Sequence, residues 1–175
     1  LVSPYTITLG DEFQAVYTAM NGVLADCWSI SADLHPVTIR FSLGLGKIVT
    51  TINREQALGM DGPAFYAARE GIEQLKDSKR LFTIQPEDSE EFDERALESF
   101  NLADKTLQLL SGSIKDWRKS RLQILLMLIK SVPVKEISRK LDISESAVYK
   151  NINQGELELV MDVGRSIEKT INQLI

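Results

Sequence analysis

The run most suggestive of chemistry is Val134-Lys135-Glu136-Ile137-Ser138-Arg139-Lys140-Leu141-Asp142-Ile143-Ser144-Glu145-Ser146-Ala147-Val148-Tyr149-Lys150-Asn151-Ile152. It reads as two short helices about a tight turn, a helix-turn-helix over 134–153. Ile137 and Leu141 face inward from the first helix, Ile143 plugs the turn, and Val148 and Ile152 face inward from the second. Ser144 suits the N-cap of the second helix, its hydroxyl accepting an orphan backbone N–H. Ser138 and Ala147 are small where the helices cross. Such a pair can read DNA: short side chains near the second helix's start reach base edges, and long cations reach phosphates. The expected DNA-contacting set is Ser146 and Tyr149 on the base side, Lys135, Arg139, Lys140 and Lys150 on phosphates, and Ser144 at the start of the second helix. A dimer would set two such helices about one DNA turn apart. Asp142 holds a turn position where glycine is most comfortable, although aspartate tolerates a left-handed backbone. Glu145 repels phosphate unless it accepts from a cytosine amino group. The competing reading is a plain helical hairpin whose cations only solubilise it.

Charge is distributed in keeping with DNA as the partner. The formal net charge is -5, yet 115–154 holds nine Lys/Arg against four acids. Local charge, not the total, governs attraction to phosphate.

The front half offers a different chemistry. Asp11 and Glu12 follow Gly10 at a turn, and paired carboxylates on a turn can hold a hard divalent ion against a triphosphate. Asp11, Glu12, Arg40, Asp61 and Arg69 could form a nucleotide pocket if the sheet brings their ends together. No cofactor is assigned; a divalent metal such as magnesium, with a nucleotide, is the candidate at Asp11. Ordinary turn chemistry and surface ion pairs compete with that reading.

One cysteine, Cys27, and one histidine, His35, exclude an internal disulfide and count against zinc fingers, papain-like thiol catalysis and His-based triads. Cys27 reads as a small buried apolar group, His35 as a helix-end residue, and Trp117 as an anchor between domains. No apolar run approaches the ~18 residues of a membrane span, and the first residues lack a signal core. A cytoplasmic protein is expected. The sequence opens on Leu1 rather than methionine, so preceding residues are expected.

These residues need elements to position them. Alternation predicts a strand at 5–9, and spacings of three and four predict a helix from 12 to 34. Strands follow at 37–43 and 47–52, then a loop over 53–62. Pro63 opens a helix to 76, and a strand covers 80–84. The order β-α-β-β-α-β points to an α+β sheet with helices on one face. An acidic connector helix occupies 86–113 and ends at Ser111-Gly112-Ser113. Helices at 116–131, 134–141 and 144–153 follow, with a last amphipathic one after Gly155. Three parts result: an α+β domain over 1–85, the connector, and a helical domain over 114–175. Leu122 to Ile129 is apolar nearly all round and must be covered; with the last helix's stripe it favours a homodimer.

Two resemblances add to this. Gly10-Asp11, the stretch Leu43 to Lys47, and Ala67-Ala68-Arg69 resemble class III and diguanylate nucleotidyl cyclases. That implies a cyclase-like, ferredoxin-like palm. The pattern departs in two places: the first metal carboxylate belongs on an earlier strand, and the asparagine four residues before the arginine is Phe65 here. Ile7 to Gln14, Gly59 to Arg69 and the C-terminal helix pair together resemble the SatD family, which is bacterial. This implies an additional N-terminal strand and helix and a DNA-associated regulatory role, with no established catalysis. The expected function is sequence-specific DNA binding in transcriptional regulation, with a degenerate cyclase-like domain for sensing or assembly. The alternative is a nucleotide-binding or cyclase-like enzyme that uses its helical domain for targeting or dimerisation.

Overall fold

The computed structural model describes residues 1–8, 10–87 and 91–175. Leu9, expected to end the first strand, and Asp88, Ser89 and Glu90 of the acidic stretch lie outside the described residues.

Strands β1 (Ser3–Ile7) and β2 (Phe13–Val16) form an antiparallel hairpin. Here the expected helix from 12 is corrected. Phe13 and Val16 sit three apart, which suits a helix, but they belong to β2. Helix α1 (Val23–Asp33) starts only after Gly22, whose φ of 80° belongs to the left-handed region that glycine enters without a Cβ penalty. Gln14 bonds across to the carbonyl of Ala57, which holds the hairpin against the loop rather than in a helix.

Strand β3 (Phe41–Leu45) runs parallel to β4 (Phe82–Pro86), joined through helix α2 (Pro63–Lys76). Pro63 opens α2 as expected. The expected strand at 47–52 does not form. A parallel partner requires a crossover, so the chain leaves the sheet after β3 instead of turning back beside it. It is tied down elsewhere: Val49 N–H donates to Asp61 O at 2.9 Å, and Ala57 N–H to Thr6 Oγ1 at 2.9 Å. The result is two two-stranded sheets in the order β-β-α-β-α-β, in place of one ferredoxin-like sheet. The α+β class stands.

Helix α3 (Glu94–Ile114) is capped by Asp93, whose carboxylate accepts from Ala96 N–H at 2.7 Å. It covers the outer edge of β4, a usual way to hide a sheet edge. Asp104 accepts from Ile84 N–H and the Thr83 hydroxyl, both at 3.0 Å, and Ser111 Oγ accepts from Leu81 N–H at 3.1 Å. The helix runs through Ser111-Gly112-Ser113 to Ile114, one residue past its expected end, and a turn follows before the next helix. Ser111 is buried and works as a hydrogen-bonding group, and Gly112 lies on the open side of the helix's last turn.

Four helices follow: α4 (Lys119–Ile129), α5 (Val134–Leu141), α6 (Glu145–Gly155) and α7 (Leu157–Asn172). Helix α4 packs on α1, and α7 returns to the start of α1. Glu168 accepts from the N–H groups of Gly22 and Leu24 at 3.2 and 3.0 Å, and Asn172 from Met20 N–H at 2.7 Å. Gly164 lets Trp28 approach: a Cβ there would lie 2.8 Å from the indole. One apolar cluster runs from Leu24 and Trp28 to Ile124, Val148 and Ile171. Leu122, Ile124 and Leu125 of the apolar helix are thus buried within this chain, and Leu126 to Ile129 are half-buried. Among the described residues no helix is long and apolar enough to cross a membrane.

Candidate nucleic-acid interface

Helices α5 and α6 meet around Ile137 and Val148, both with no exposed surface. Asp142 ends α5 at φ 53°, ψ 47°, the left-handed conformation its side chain tolerates. Ser138 O then accepts from Ile143 N–H at 3.1 Å, closing the turn. Ser144 caps α6, its hydroxyl accepting from Ala147 N–H at 3.1 Å. Backbone and side chain therefore agree on where each helix ends.

All seven residues expected at DNA are exposed: Lys135, Arg139, Lys140, Ser144, Ser146, Tyr149 and Lys150. Tyr149 leaves 53% of its surface in solvent. Lys140 differs from the other cations. Its ammonium lies 2.8 Å from Glu136, and that hydrogen bond holds the Glu136 carboxyl below the usual carboxylate range. Lys135, Arg139 and Lys150 form no ion pair among the described residues.

Sequence reasoning missed the contact that fixes α6 to α4. Arg121 Nε donates to Asn151 Oδ1 at 3.3 Å, and Asn151 Nδ2 donates to Ala147 O at 2.9 Å. The Arg121 guanidinium also lies 5.8 Å from the Trp117 ring centre, a cation–π arrangement. Asn151 is therefore engaged internally, in contrast to the exposed Asn153 one turn-side away. The signal was an arginine and an asparagine interrupting otherwise apolar faces.

The front-half pocket assembles in part. Asp11, Glu12, Arg40 and Arg69 line one cleft of about 640 Å³. Asp61 stands apart from it: its Oδ1 accepts from Gly62 N–H at 2.8 Å, and its carboxylate binds the Tyr66 hydroxyl, raising that phenol above its ordinary value. Glu12 is already paired with Arg69 at 2.8 Å. Among the described residues, no three His, Cys, Asp or Glu side chains gather to hold a metal. Asp11 alone does not make a two-metal site, so the metal-dependent cyclase arrangement does not fit the residues present.

The cleft has a second character. Its walls are the facing edges of β2 and β3, which are not hydrogen-bonded to each other. Phe41 N–H and Leu45 O bond towards β4, both at 2.7 Å, so strand alternation turns the main-chain groups of Ser42 and Gly44 into the cleft. Glu12 O and Val16 O accept from the β1 side, which turns Phe13 and Ala15 the same way. Val23 and Cys27 of α1, and Ala64, Ala68 and Ile72 of α2, complete an apolar lining. Burial raises the Cys27 thiol well above its ordinary value, as befits a packing residue. At the mouth, Tyr17 donates to Asp26 at 2.5 Å and lies 2.9 Å from Tyr5, whose phenol burial pushes up to about 12.

Neither the curated proteins nor the solved structures include a match to this chain. The model of the SatD family matches residues 1–171, reaching from the hairpin through α6 and most of α7. With nearly its whole length covered, the chain belongs to the SatD family.

Proposed function

We propose that this chain is a cytoplasmic, sequence-specific DNA-binding protein acting in transcriptional regulation as a homodimer, with α5 and α6 as its helix-turn-helix. The observation that carries this is the set of exposed cations around that pair without acidic partners. Of the nine Lys/Arg between 115 and 154, Lys140 alone forms an ion pair among the described residues. Cations clustered in this way can be matched by an external polyanion, and duplex DNA supplies one phosphate charge per ~1.7 Å of axis. Ser146 and Tyr149 then read bases, while Lys135, Arg139 and Lys150 hold phosphates. The test is selection from a random duplex pool by the wild type beside Tyr149→Ala/Lys150→Ala. Enrichment of a palindromic site by the wild type only is the expected result. No enrichment by the folded wild type reduces the pair to a structural or assembly role.

A second reading concerns the cleft. An effector such as a nucleotide was the expectation there, but its walls favour a different occupant. Two facing strand edges, lined also by apolar side chains from α1 and α2, make a slot for an extended segment. We propose that the additional strand implied by the family resemblance sits in it and joins the two sheets into one palm. Hydrogen exchange on the protein made from its natural initiation codon tests this. The amides of Ala15, Ser42 and Gly44 should be slow there and fast in residues 1–175 alone. Equal rates would return the cleft to a soluble effector, and a nucleoside triphosphate with magnesium would be the first to titrate, with Asp11→Asn as its control.

A further inference from the structure

We infer that the DNA surface extends beyond α5 and α6 to the junction of α3 and α4, where Lys115, Arg118 and Lys119 form a second phosphate-binding patch. The inference rests on the DNA-binding reading above and adds a flank to it.

The contact between α4 and α6 fixes the position. Arg121 bonds Asn151 near the far end of α6, and its aliphatic stem lies against Gly155, where a Cβ would come within 2.9 Å of Arg121 Cδ. The beginning of α4 therefore stands beside the last turns of α6. Arg118 is the N-cap of α4 and Lys119 its first residue, so both stand at this end of the helix.

Groove dimensions then say what this end of α6 must meet. Eleven residues at ~1.5 Å each make α6 about 16 Å long. The major groove is ~12 Å wide. With the Ser144–Tyr149 end against base edges, the other end emerges at the phosphate ridge. The side chains waiting there are cations. Lys115, Arg118 and Lys119 are exposed and form no ion pair among the described residues. The first turn of α4 contains no acid, and Arg118 offers it no side-chain cap. The five residues 115–119 hold these three cations against one exposed acid, Asp116, leaving a local excess of positive charge open to a polyanion.

Salt dependence of binding tests this directly. Affinity would be measured across a salt series for the wild type and for Lys115→Gln/Arg118→Gln/Lys119→Gln, on the selected site and on an unrelated duplex. A control, Lys79→Gln/Arg80→Gln, removes exposed unpaired cations from the front half. Each lost phosphate contact lowers the slope of log affinity against log salt by about 0.9. The triple variant should therefore flatten it by about 2 to 3, weaken both duplexes by a similar factor, and keep the site preference. The control should leave the slope unchanged. A triple variant with the wild-type slope overturns the patch while leaving the helix-turn-helix reading intact. Equal flattening by the control also overturns it, because total charge would then be the cause. A folded wild type that binds neither duplex overturns both.

Discussion

The two halves of this chain treat their charges in opposite ways. In the front half and along α3, several charged groups find partners: Glu12 with Arg69, Lys47 with Glu91, and Asp104 with two groups of β4 as well as Gln108 and Lys105. From Lys115 to Gln154, cations stand exposed and acids are few. The lesson is that charge in the first region serves the fold, and charge in the second is left for something outside it. Substitutions can break or sharpen that contrast.

The largest effect should come from the buried joint that presents the open cations. Ile137 is fully enclosed between α5 and its neighbours, and Ile137→Ala should lower stability by roughly 2–5 kcal/mol in denaturant melts. DNA binding should fall with it even though no cation is touched. Retained stability would mean that the helix pair collapses around the gap.

Asp104→Ala comes next, acting on the half where charge serves the fold. It leaves Ile84 N–H and the Thr83 hydroxyl buried without an acceptor. A loss of about 1.5–3 kcal/mol is expected, the usual range for hydrogen bonds to a charged group. Binding of DNA per folded molecule should not change. A change would show that α3 and the helix pair are coupled.

How much of this was legible in the sequence depended on whether a signal was local. The α5–turn–α6 unit was read nearly residue by residue, because Ser144, Asp142 and the spacing of Ile137, Val148 and Ile152 each act within a few residues. The α2 boundaries followed from Pro63 for the same reason. What failed depended on distant partners. Phe13 and Val16 suit a helix by spacing, and only pairing with β1 makes them a strand. Ser111-Gly112-Ser113 marks the end of α3 to within one residue, but nothing local shows that Ser111 is buried there as the acceptor for Leu81 N–H. The pocket residues were found in part for the same reason: Arg69 reaches Glu12 across 57 positions, whereas Asp61 is satisfied by its neighbours. Glu168, which accepts from the start of α1 across more than 140 positions, gave no local signal at all.

That last contact makes the third test, at the seam between the halves. Gly22 offers α1 no side-chain cap, and Glu168 takes its place. Glu168→Ala should cost about 1 kcal/mol, as loss of a helix cap does. Glu168→Gln should recover part of it, because its amide oxygen still accepts one bond. Both variants losing equally would mean that the carboxylate's charge at the helix start, not the geometry, matters.

The smallest effect tests the contrast within the helix pair itself, where Lys140 is paired and Lys150 is not. Glu136 sits below the usual carboxylate range because it bonds Lys140, so its contribution is complete above the ordinary carboxylate pKa. That contribution fades as pH falls through the depressed folded value. Lys140→Gln should therefore move the Glu136 titration, followed by carboxyl NMR shifts, up towards the ordinary range. On DNA, Lys150→Gln should flatten the salt slope by about 0.9. Lys140→Gln should flatten it less, because Glu136 already offsets that charge and a new phosphate must first displace it. Equal slopes for the two variants would mean that the Lys140–Glu136 pair opens at the DNA surface. Pairing in the free protein would then stop being a guide to which cations meet phosphate, and Lys140 would rejoin Lys135, Arg139 and Lys150 as an equal.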